Sequence, residues 1–233
     1  MLPKITLTDL STFLKITKQG LIKQLKRKEI PHFISSNKGY ITHFGAKKLL
    51  NLNLDKQLIS IQIVKGGSGK TSITHSVGIR ASLYGAKVLL VDLDQQANLT
   101  EHCGIDPDMA LCVYDILNKK IPVNDTIINI TEGVDLLPSK IDNAALDDCI
   151  LFNNLSLDRL YNDIFSPLKE KYDLILIDCP PALGRSVGGA SLAADYIISP
   201  VTPDKQCLRG LTLLSDQLTM LGNMPYGKRV NYK

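Results

Sequence analysis

A glycine-rich loop enclosed by two lysines is the feature of this chain that most limits its possible folds. The loop reads Lys-Gly-Gly-Ser-Gly-Lys-Thr over residues 65–71 and follows the apolar run 58–64. Glycines carry no Cβ, so successive backbone N–H groups can turn towards one centre and bind phosphate oxygens at the start of a helix. The loop therefore predicts a phosphate site between a strand and a helix.

The residues of this loop suit different parts of a nucleoside triphosphate and its magnesium ion. Lys70 would place its ammonium group between the β- and γ-phosphates, and the hydroxyl of Thr71 is a ligand for Mg²⁺. The residues predicted to cradle the phosphates are Gly66, Gly67, Ser68, Gly69, Lys70, Thr71 and Ser72. The general pattern, G-x-x-x-x-G-K-[ST], is met except at its first glycine, because that position is Val64.

Two later apolar runs end in acidic residues. Asp92 and Asp94 follow the first run, and Asp178 follows the second. A buried carboxylate is costly unless a cation or a water network lies beside it. Because ligands bind at the carboxyl ends of the strands in parallel sheets, we expect these carboxylates to meet the glycine loop. The turn 180–184 would then sense the γ-phosphate.

With its two lysines, the loop resembles the deviant Walker motif, K-G-G-x-G-K-[ST], of the ParA/MinD group of ATPases. The resemblance implies that Lys65 reaches across an ATP-bound dimer to the phosphates held by the partner subunit. It also implies that Asp94 positions the attacking water. The predicted catalytic residues are therefore Lys65, Lys70 and Asp94.

The resemblance extends to the metal site and to the acidic motif. It implies that Mg²⁺ is held by Thr71 and, through water, by Asp178, with Asp92 near the metal shell. The second motif of the family usually reads D-x-D-P-Q-x-N-x-T. Here Gln95 replaces the proline and Ala97 the frequent glycine, which leaves the stiffness of this loop open.

Pro203 and Asp204 match the place where the family brackets the adenine base. They end the sequence Pro-Val-Thr-Pro-Asp over residues 200–204. Two prolines in a loop are also common for purely local reasons, so both interpretations stay open.

Charge divides the chain into two parts of opposite sign, although the net charge is only +4. Residues 1–57 hold eleven lysines and arginines against three acidic residues, and residues 58–233 hold sixteen against twenty. A basic module favours a nucleic-acid contact, because cations near phosphates release condensed counterions. A solvated, lysine-rich surface is the alternative.

The basic part has the spacing of a helix-turn-helix. We predict helices over 8–14 and 18–29, two strands within 32–42 that turn at Asn37, and a closing helix over 44–52. The expected core residues are Leu10, Phe13, Leu14, Leu21, Leu25, Phe33 and Leu49. The residues predicted to contact DNA are Lys18, Gln19, Lys23, Gln24 and Arg27 on the second helix and Lys38 on the hairpin.

This order of elements resembles the winged helix-turn-helix that heads some plasmid ParA proteins. Sequence-specific DNA binding by a dimer follows from that resemblance, because one such module reads only a half-site. A module used only for dimerisation or docking is the alternative. His32 and His43 lack Cys or acidic partners at ligand spacing and are interpreted as surface or packing residues.

From residue 58 onwards, apolar strands and amphipathic helices alternate. Strands are predicted over 58–64, 87–92, 134–137, 174–178 and 196–201, and helices over 71–84, near 109–117, within 143–168, and over 186–194 and 208–221. The fold class is α/β: a parallel P-loop NTPase sheet with helices on both faces, preceded by a small winged helix-turn-helix domain. The predicted boundaries are 1–52, a linker 53–57, an ATPase domain 58–221 and a polar tail 222–233.

The function that the resemblance implies is that of a ParA-like partition ATPase, with ATP and Mg²⁺ as cofactors. ATP-dependent dimerisation would control binding to the nucleoid, a ParB-like centromere-binding protein would stimulate a slow hydrolysis, and the N-terminal domain would bind operator DNA for autorepression. A repressor that senses nucleotide without a partition role is the alternative. Family ATPase domains usually continue beyond the point matching Leu221, so a shortened form is expected.

Two other members of the same fold receive less support. A MinD-like protein needs an amphipathic membrane helix, for which the tail has neither length nor an apolar face, so no membrane partner is expected. An iron–sulfur relative of the nitrogenase iron protein needs paired thiolates, whereas the five cysteines include no C-x-x-C pair. Together with the absence of a leader, these cysteines indicate a reduced cytoplasm, and the protein is expected there with the nucleoid.

Overall fold

The basic N-terminal part forms three helices and a three-stranded antiparallel sheet. The structure is a computed structural model and describes residues 4–35 and 38–224. The elements are β1 (Lys4–Thr6), α1 (Leu7–Phe13), α2 (Lys18–Arg27), β2 (Phe33–Ser35), β3 (Lys38–Thr42) and α3 (His43–Leu50), and the strand order is β1-β3-β2. Strand β1 was not predicted. The predicted turn residue Asn37 lies outside the described residues, as does the tail from residue 225.

Threonines begin both helices of the predicted helix-turn-helix. The Thr6 hydroxyl accepts a hydrogen bond from the backbone N–H of Asp9, and the Thr17 hydroxyl accepts one from that of Gly20. Each bond satisfies a donor that has no partner inside the helix. These caps fix where α1 and α2 begin.

The core of this part differs from the predicted one at two aromatic residues. Buried side chains here include Ile5, Leu10, Leu21, Leu25, Ile41 and Leu49. Phe13 and Phe33, predicted to lie in this core, are 50% and 46% exposed. Phe33 stacks on Tyr40 of the hairpin, and Phe13 contacts Tyr84, with ring centroids 4.7 Å apart. The error arose because helical periodicity does not distinguish a core face from a face that meets another part of the chain.

A six-stranded sheet organises the rest of the chain. Its strands are β4 (Gln57–Ile61), β5 (Val88–Asp92), β6 (Ile128–Thr131), β7 (Val134–Leu137), β8 (Leu174–Asp178) and β9 (Tyr196–Ile198). Their order is β6-β7-β5-β8-β4-β9. All neighbours are parallel except β6 and β7, which pair antiparallel. The fold is thus α/β with a mostly parallel sheet, and the unpredicted β6 is the departure from a fully parallel one.

Helices cover both faces of this sheet. They are α4 (Lys70–Leu83), α5 (Asn98–His102), α6 (Val113–Lys119), α7 (Val123–Thr126), α8 (Leu146–Phe152), α9 (Leu157–Lys169), α10 (Arg185–Ala193) and α11 (Lys205–Gly222). Successive side chains of a strand point to opposite faces. Accordingly Leu90 packs in one apolar cluster with Leu99 of α5, whereas Leu89 and Val91 pack in another with residues of α6 and α8–α11. Among the described residues, no helix combines the length and the apolar character that crossing a membrane requires.

The N-terminal part is packed against the end of α4. His43 of α3 is buried and donates a hydrogen bond from Nδ1 to the carbonyl oxygen of Ser82, 2.8 Å away. Leu83 and Tyr84 pack against the N-terminal core. The opposite end of α4 is Lys70 of the glycine loop, so a single helix connects the loop with the N-terminal part.

This packing depends on Gly85. Its φ of +92° is in the left-handed region, and a Cβ added there would lie 2.6 Å from the Cα of Lys47. Gly104 has a similar φ of +78°, but an added Cβ would meet nothing within 4 Å. A substitution would therefore strain the backbone at either glycine. Only at Gly85 would the added methyl group also overlap a neighbouring residue.

We expect Gly85→Ala to lower the free energy of unfolding more than Gly104→Ala does. The difference should be about 1–3 kcal/mol, since only the first methyl group overlaps a neighbouring backbone. Urea unfolding of both variants and of the parent protein measures it. Equal losses in the two variants would contradict the described contact between Gly85 and α3.

Candidate functional site

The glycine loop lies between β4 and α4 and borders an open cavity. Gly67 and Gly69 have φ values of +69° and +85°, and an added Cβ at either would meet nothing within 4 Å. The cavity has a volume of about 510 Å³. Its lining residues are Gly66, Gly67, Ser68, Gly69, Lys70, Thr71, Ser72, Asp94, Gln95, Gln96, Asn98, His102 and Pro181. The structure thus brings the loop together with Asp94 and the turn that follows Asp178.

Lys70 is a buried cation in this cavity. The residue is 7% exposed, and its Nζ donates a hydrogen bond to the carbonyl oxygen of Lys65 at 3.0 Å. Burial lowers the pKa of its ammonium group, and the nearby Asp178 and Asp94 act in the opposite direction. A phosphate bound in the loop would offset the same desolvation, because it brings negative charge to the buried ammonium.

Asp178 and Thr71 form the second part of the site. Asp178 is 1% exposed, and the Thr71 hydroxyl donates to its Oδ2 at 2.6 Å. Burial raises the pKa of Asp178 to about 6, against the lowering effects of Thr71 and Lys70. A carboxylate and a hydroxyl are the hard oxygen donors that Mg²⁺ prefers. The donor set and the open glycine cradle therefore fit a magnesium–phosphate group.

Asp92 lies beside Asp178 but faces protein donors. It is fully buried; the backbone N–H of Asp94 donates to its Oδ1 at 3.1 Å, and both the N–H and the hydroxyl of Thr100 donate to its Oδ2. Burial raises its pKa to about 7. These bonds hold the loop 94–98 in a fixed shape, and a place for Asp92 near the metal shell stays a prediction.

Lys65 contacts residues at the start of α11 and does not line the cavity. Its Nζ forms an ion pair with Asp204 and donates to the Thr202 hydroxyl at 2.9 Å. Asp204 also accepts from the backbone N–H of Cys207 and so caps α11. The ion pair and the other hydrogen bonds of its carboxylate hold the pKa of Asp204 well below its usual range. Lys65, Pro203 and Asp204 do not line the cavity in the described part of the chain, and their nucleotide contacts stay predictions.

Two polar residues at the site escaped the sequence analysis. Ser139 and Asn143 are buried, the Ser139 hydroxyl donates to the carbonyl oxygen of Asp94 at 2.7 Å, and Asn143 donates to Ser139 at 2.7 Å. The available signal was their place after β7, which ends at the same edge of the sheet as β5. No phosphate motif contains them, so motif comparison alone does not find them.

The predicted DNA-contacting residues lie in the N-terminal part. Lys18, Gln19, Lys23 and Arg27 are exposed on α2, Gln24 is half-buried there, and Lys38 is exposed at the start of β3.

Four of the five cysteines are buried, and Cys103 is half-buried. Burial raises the pKa of Cys112 to about 11, and burial also raises the pKa of Cys179, which lies against Ser60. These thiols pack in the interior of the domain.

Comparison with known proteins identifies the family. Residues 56–225 match the family model described as AAA domain, AAA_31. The chain belongs to this family. One relative of this chain is the sporulation initiation inhibitor protein Soj of Bacillus subtilis (strain 168), 35% identical over 167 residues. The match covers 71% of this chain and 66% of Soj, so the chain spans slightly less than two thirds of that relative's length.

Solved structures with the same fold include proteins of different named functions. A plasmid partition protein from Borrelia burgdorferi has a TM-score of 0.63 and 30% identity, covering 72% of this chain and 74% of its own. Cobyrinic acid a,c-diamide synthase from Mycobacterium smegmatis, solved with an ATP analog and magnesium, has a TM-score of 0.70 and 27% identity, covering 76% and 72%. This chain therefore shares its P-loop NTPase fold with both, and the fold alone does not decide between their functions.

Proposed function

We propose that this chain is a ParA-like partition ATPase that binds ATP and Mg²⁺ at the glycine loop. One observation carries the proposal: the glycine cradle, the buried Lys70 and Thr71 border one cavity, and the Thr71 hydroxyl is hydrogen-bonded to the buried Asp178 directly behind it. The similarity to Soj and to the plasmid partition protein favours partition over the reaction of the synthase.

The phosphate loop and three nearby carboxylates have proposed parts in hydrolysis. Backbone N–H groups of the loop and Lys70 bind the phosphates and neutralise their charge. Thr71 and, through water, Asp178 would hold Mg²⁺, which would supply further charge stabilisation. Asp94 orients the attacking water, and Asp92 keeps the backbone of Asp94 in place through the 3.1 Å hydrogen bond. Hydrolysis should be slow in the single chain, because Lys65 reaches the phosphates only from a second subunit in this proposal.

Lys65 completes the site from a second subunit in this proposal. In the isolated chain its ammonium is neutralised by Asp204. Dimerisation with ATP would transfer Lys65 from this ion pair to the phosphates of the partner subunit, which carry more negative charge. ATP would thus control assembly more than it drives rapid turnover.

The N-terminal part is proposed to bind operator DNA as a winged helix-turn-helix. Support comes from the exposed basic residues of α2, the β2–β3 hairpin that follows it and the +8 charge of residues 1–57. The wider proposal is an ATP-bound dimer that associates with nucleoid DNA in the cytoplasm and responds to a ParB-like centromere-binding protein. A nucleotide-sensing repressor without a partition role would show the same operator binding but no stimulation by such a partner.

We expect Lys70→Ala and Asp94→Ala to separate binding from hydrolysis. Lys70→Ala should abolish ATP binding, since it removes the buried cation of the phosphate site. Asp94→Ala should bind a fluorescent ATP analogue normally but hydrolyse ATP at least about 100-fold more slowly, because the water loses its orienting carboxylate. Steady-state hydrolysis and titration of the analogue provide the two measurements.

Asp108→Ala is the matched control, because Asp108 is an exposed carboxylate outside the cavity. It should retain the parent rate. Parent-like hydrolysis in Asp94→Ala would remove the proposed role of Asp94, and absence of ATP binding by the parent protein would overturn the proposed function itself.

We expect Lys23→Ala and Arg27→Ala to weaken binding to a duplex from the region upstream of the coding sequence. If each contacts a phosphate, the slope of log affinity against log salt should become shallower by about one per residue. Lys48→Ala removes an exposed lysine from α3 and controls for net charge. Equal salt slopes in all three variants and the parent would favour a docking role for the N-terminal part.

A further inference from the structure

Asp147 of α8 forms a two-pronged cap on another helix. Its Oδ2 accepts the backbone N–H of Arg185 at 3.0 Å, and its Oδ1 accepts that of Ser186 at 2.8 Å. These are the first two residues of α10. The carboxylate thus satisfies two N–H groups that have no partner within the helix, at the end where negative charge is favoured. Gly184 leaves room for it, since an added Cβ would lie 2.2 Å from Asp147 Oδ2.

This cap fixes the far end of the turn 180–184. The near end of the turn follows Asp178, which is held by Thr71. Between the two ends the turn borders a cavity of about 220 Å³. Residues of α8, Asp147 among them, and Gln95 of the acidic loop line the other side of this cavity. The turn therefore has room to move, and Asp147 limits that movement at one end.

The chain segment that carries Asp147 is also bonded to the acidic loop. Ser139 donates to the carbonyl oxygen of Asp94, Asn143 donates to Ser139, and the Asn143 side-chain oxygen accepts the backbone N–H of Tyr114 at 3.2 Å. Ser139 and Asn143 are 0% and 4% exposed. Buried, satisfied networks of this kind hold backbone segments in one arrangement. One continuous segment, residues 139–147, therefore contacts both loops that border the phosphate site.

We propose that residues 139–147 act as a brace between the Asp94 loop and the turn 180–184, with Asp147 as a positioning residue for ATP hydrolysis. This inference rests on the proposed ATPase function. Asp147 does not line the phosphate cavity and acts through the backbone of Arg185 and Ser186. When the cap is lost, the turn 180–184 loses its fixed separation from the Asp94 loop, whereas Asp178 stays held by Thr71 and by the pairing of β8. Catalysis then falls more than nucleotide binding, because the glycine loop itself is unchanged.

A simpler role for Asp147 is stabilisation of α10 alone. In that case its removal would lower stability but leave the turnover number of the folded enzyme at the parent value. Turnover number and KM for ATP distinguish the two roles, since a purely structural cap changes stability without separating kcat from KM. Local amide exchange shows whether the cap has been lost.

The test compares Asp147→Ala, Asp147→Asn and Asp148→Ala in the full chain. Asp148 is the next residue of α8, is exposed and carries the same charge, so its variant controls for charge and helix propensity. In Asp147→Ala the amides of Arg185 and Ser186 should exchange about tenfold faster, as expected for a lost cap. We expect kcat to fall about tenfold with a KM change below about twofold. Asp147→Asn keeps one acceptor and should give intermediate values.

Each result of this test either supports or overturns the positioning role of Asp147. Parent-like kcat in both Asp147 variants overturns the positioning role, whether or not exchange accelerates. A fall in kcat that Asp148→Ala reproduces overturns it as well. If Asp147→Ala does not fold, the intermediate kcat of Asp147→Asn, with KM unchanged, supports the brace and a parent-like kcat removes it. A parent protein without ATPase activity refutes the proposed function instead, which is a separate result.

Discussion

The hydrogen bond between Thr71 and the buried Asp178 is the interaction on which the site depends. It joins the first turn of α4 to the end of β8, and it lies beside the buried ammonium of Lys70. Burying two opposite charges is expensive, and their mutual attraction offsets only part of that expense. The raised pKa of Asp178 and the lowered pKa of Lys70 both express this incomplete compensation. A bound phosphate group would place negative charge beside Lys70, and its metal ion would place positive charge beside Asp178.

The sheet makes this interaction possible. Strand β8 lies between β4 and β5, and its register places Asp178 opposite both Ile61 and Asp92. The glycine loop starts beyond β4, and the acidic loop starts at the end of β5. Parallel pairing therefore brings motifs that are about 100 residues apart in sequence to one edge, as expected for ligand sites in open α/β sheets. The brace of residues 139–147 follows β7, the next neighbour of β5, and reaches the same edge.

The sequence predicted those strands well whose pattern of apolar and polar residues is clear within a short stretch of the chain. The mainly apolar segments of β7 and β8 were predicted to the residue, because strands buried on both faces are rich in apolar residues. The same reasoning extended β4 to Val64, whereas the strand ends at Ile61. Short edge strands such as β1 and β6 were missed, since three or four residues of mixed polarity give little periodicity.

The parts that sequence could not predict are contacts between distant segments. Phe13 has the spacing of a core residue, yet it packs on Tyr84 of the other part of the chain. The capping of α10 by Asp147 could not be predicted either, because no sequence pattern around Asp147 indicates a contact with Arg185. Lys65 is a further example, because its predicted partner and its observed partner differ. Its motif predicts a phosphate contact, whereas the single chain gives it Asp204 as a partner.

The central claim is that ATP assembles two chains whose Lys65 residues complete each other's sites. The most direct measurement is the mass in solution of the Asp94→Ala protein with ATP and Mg²⁺, with ADP, and without nucleotide. The account predicts a dimer with ATP only, and a monomer that still binds ATP when Lys65→Ala is added. A protein that stays monomeric when saturated with ATP and magnesium, or a dimer that persists without Lys65, would contradict it.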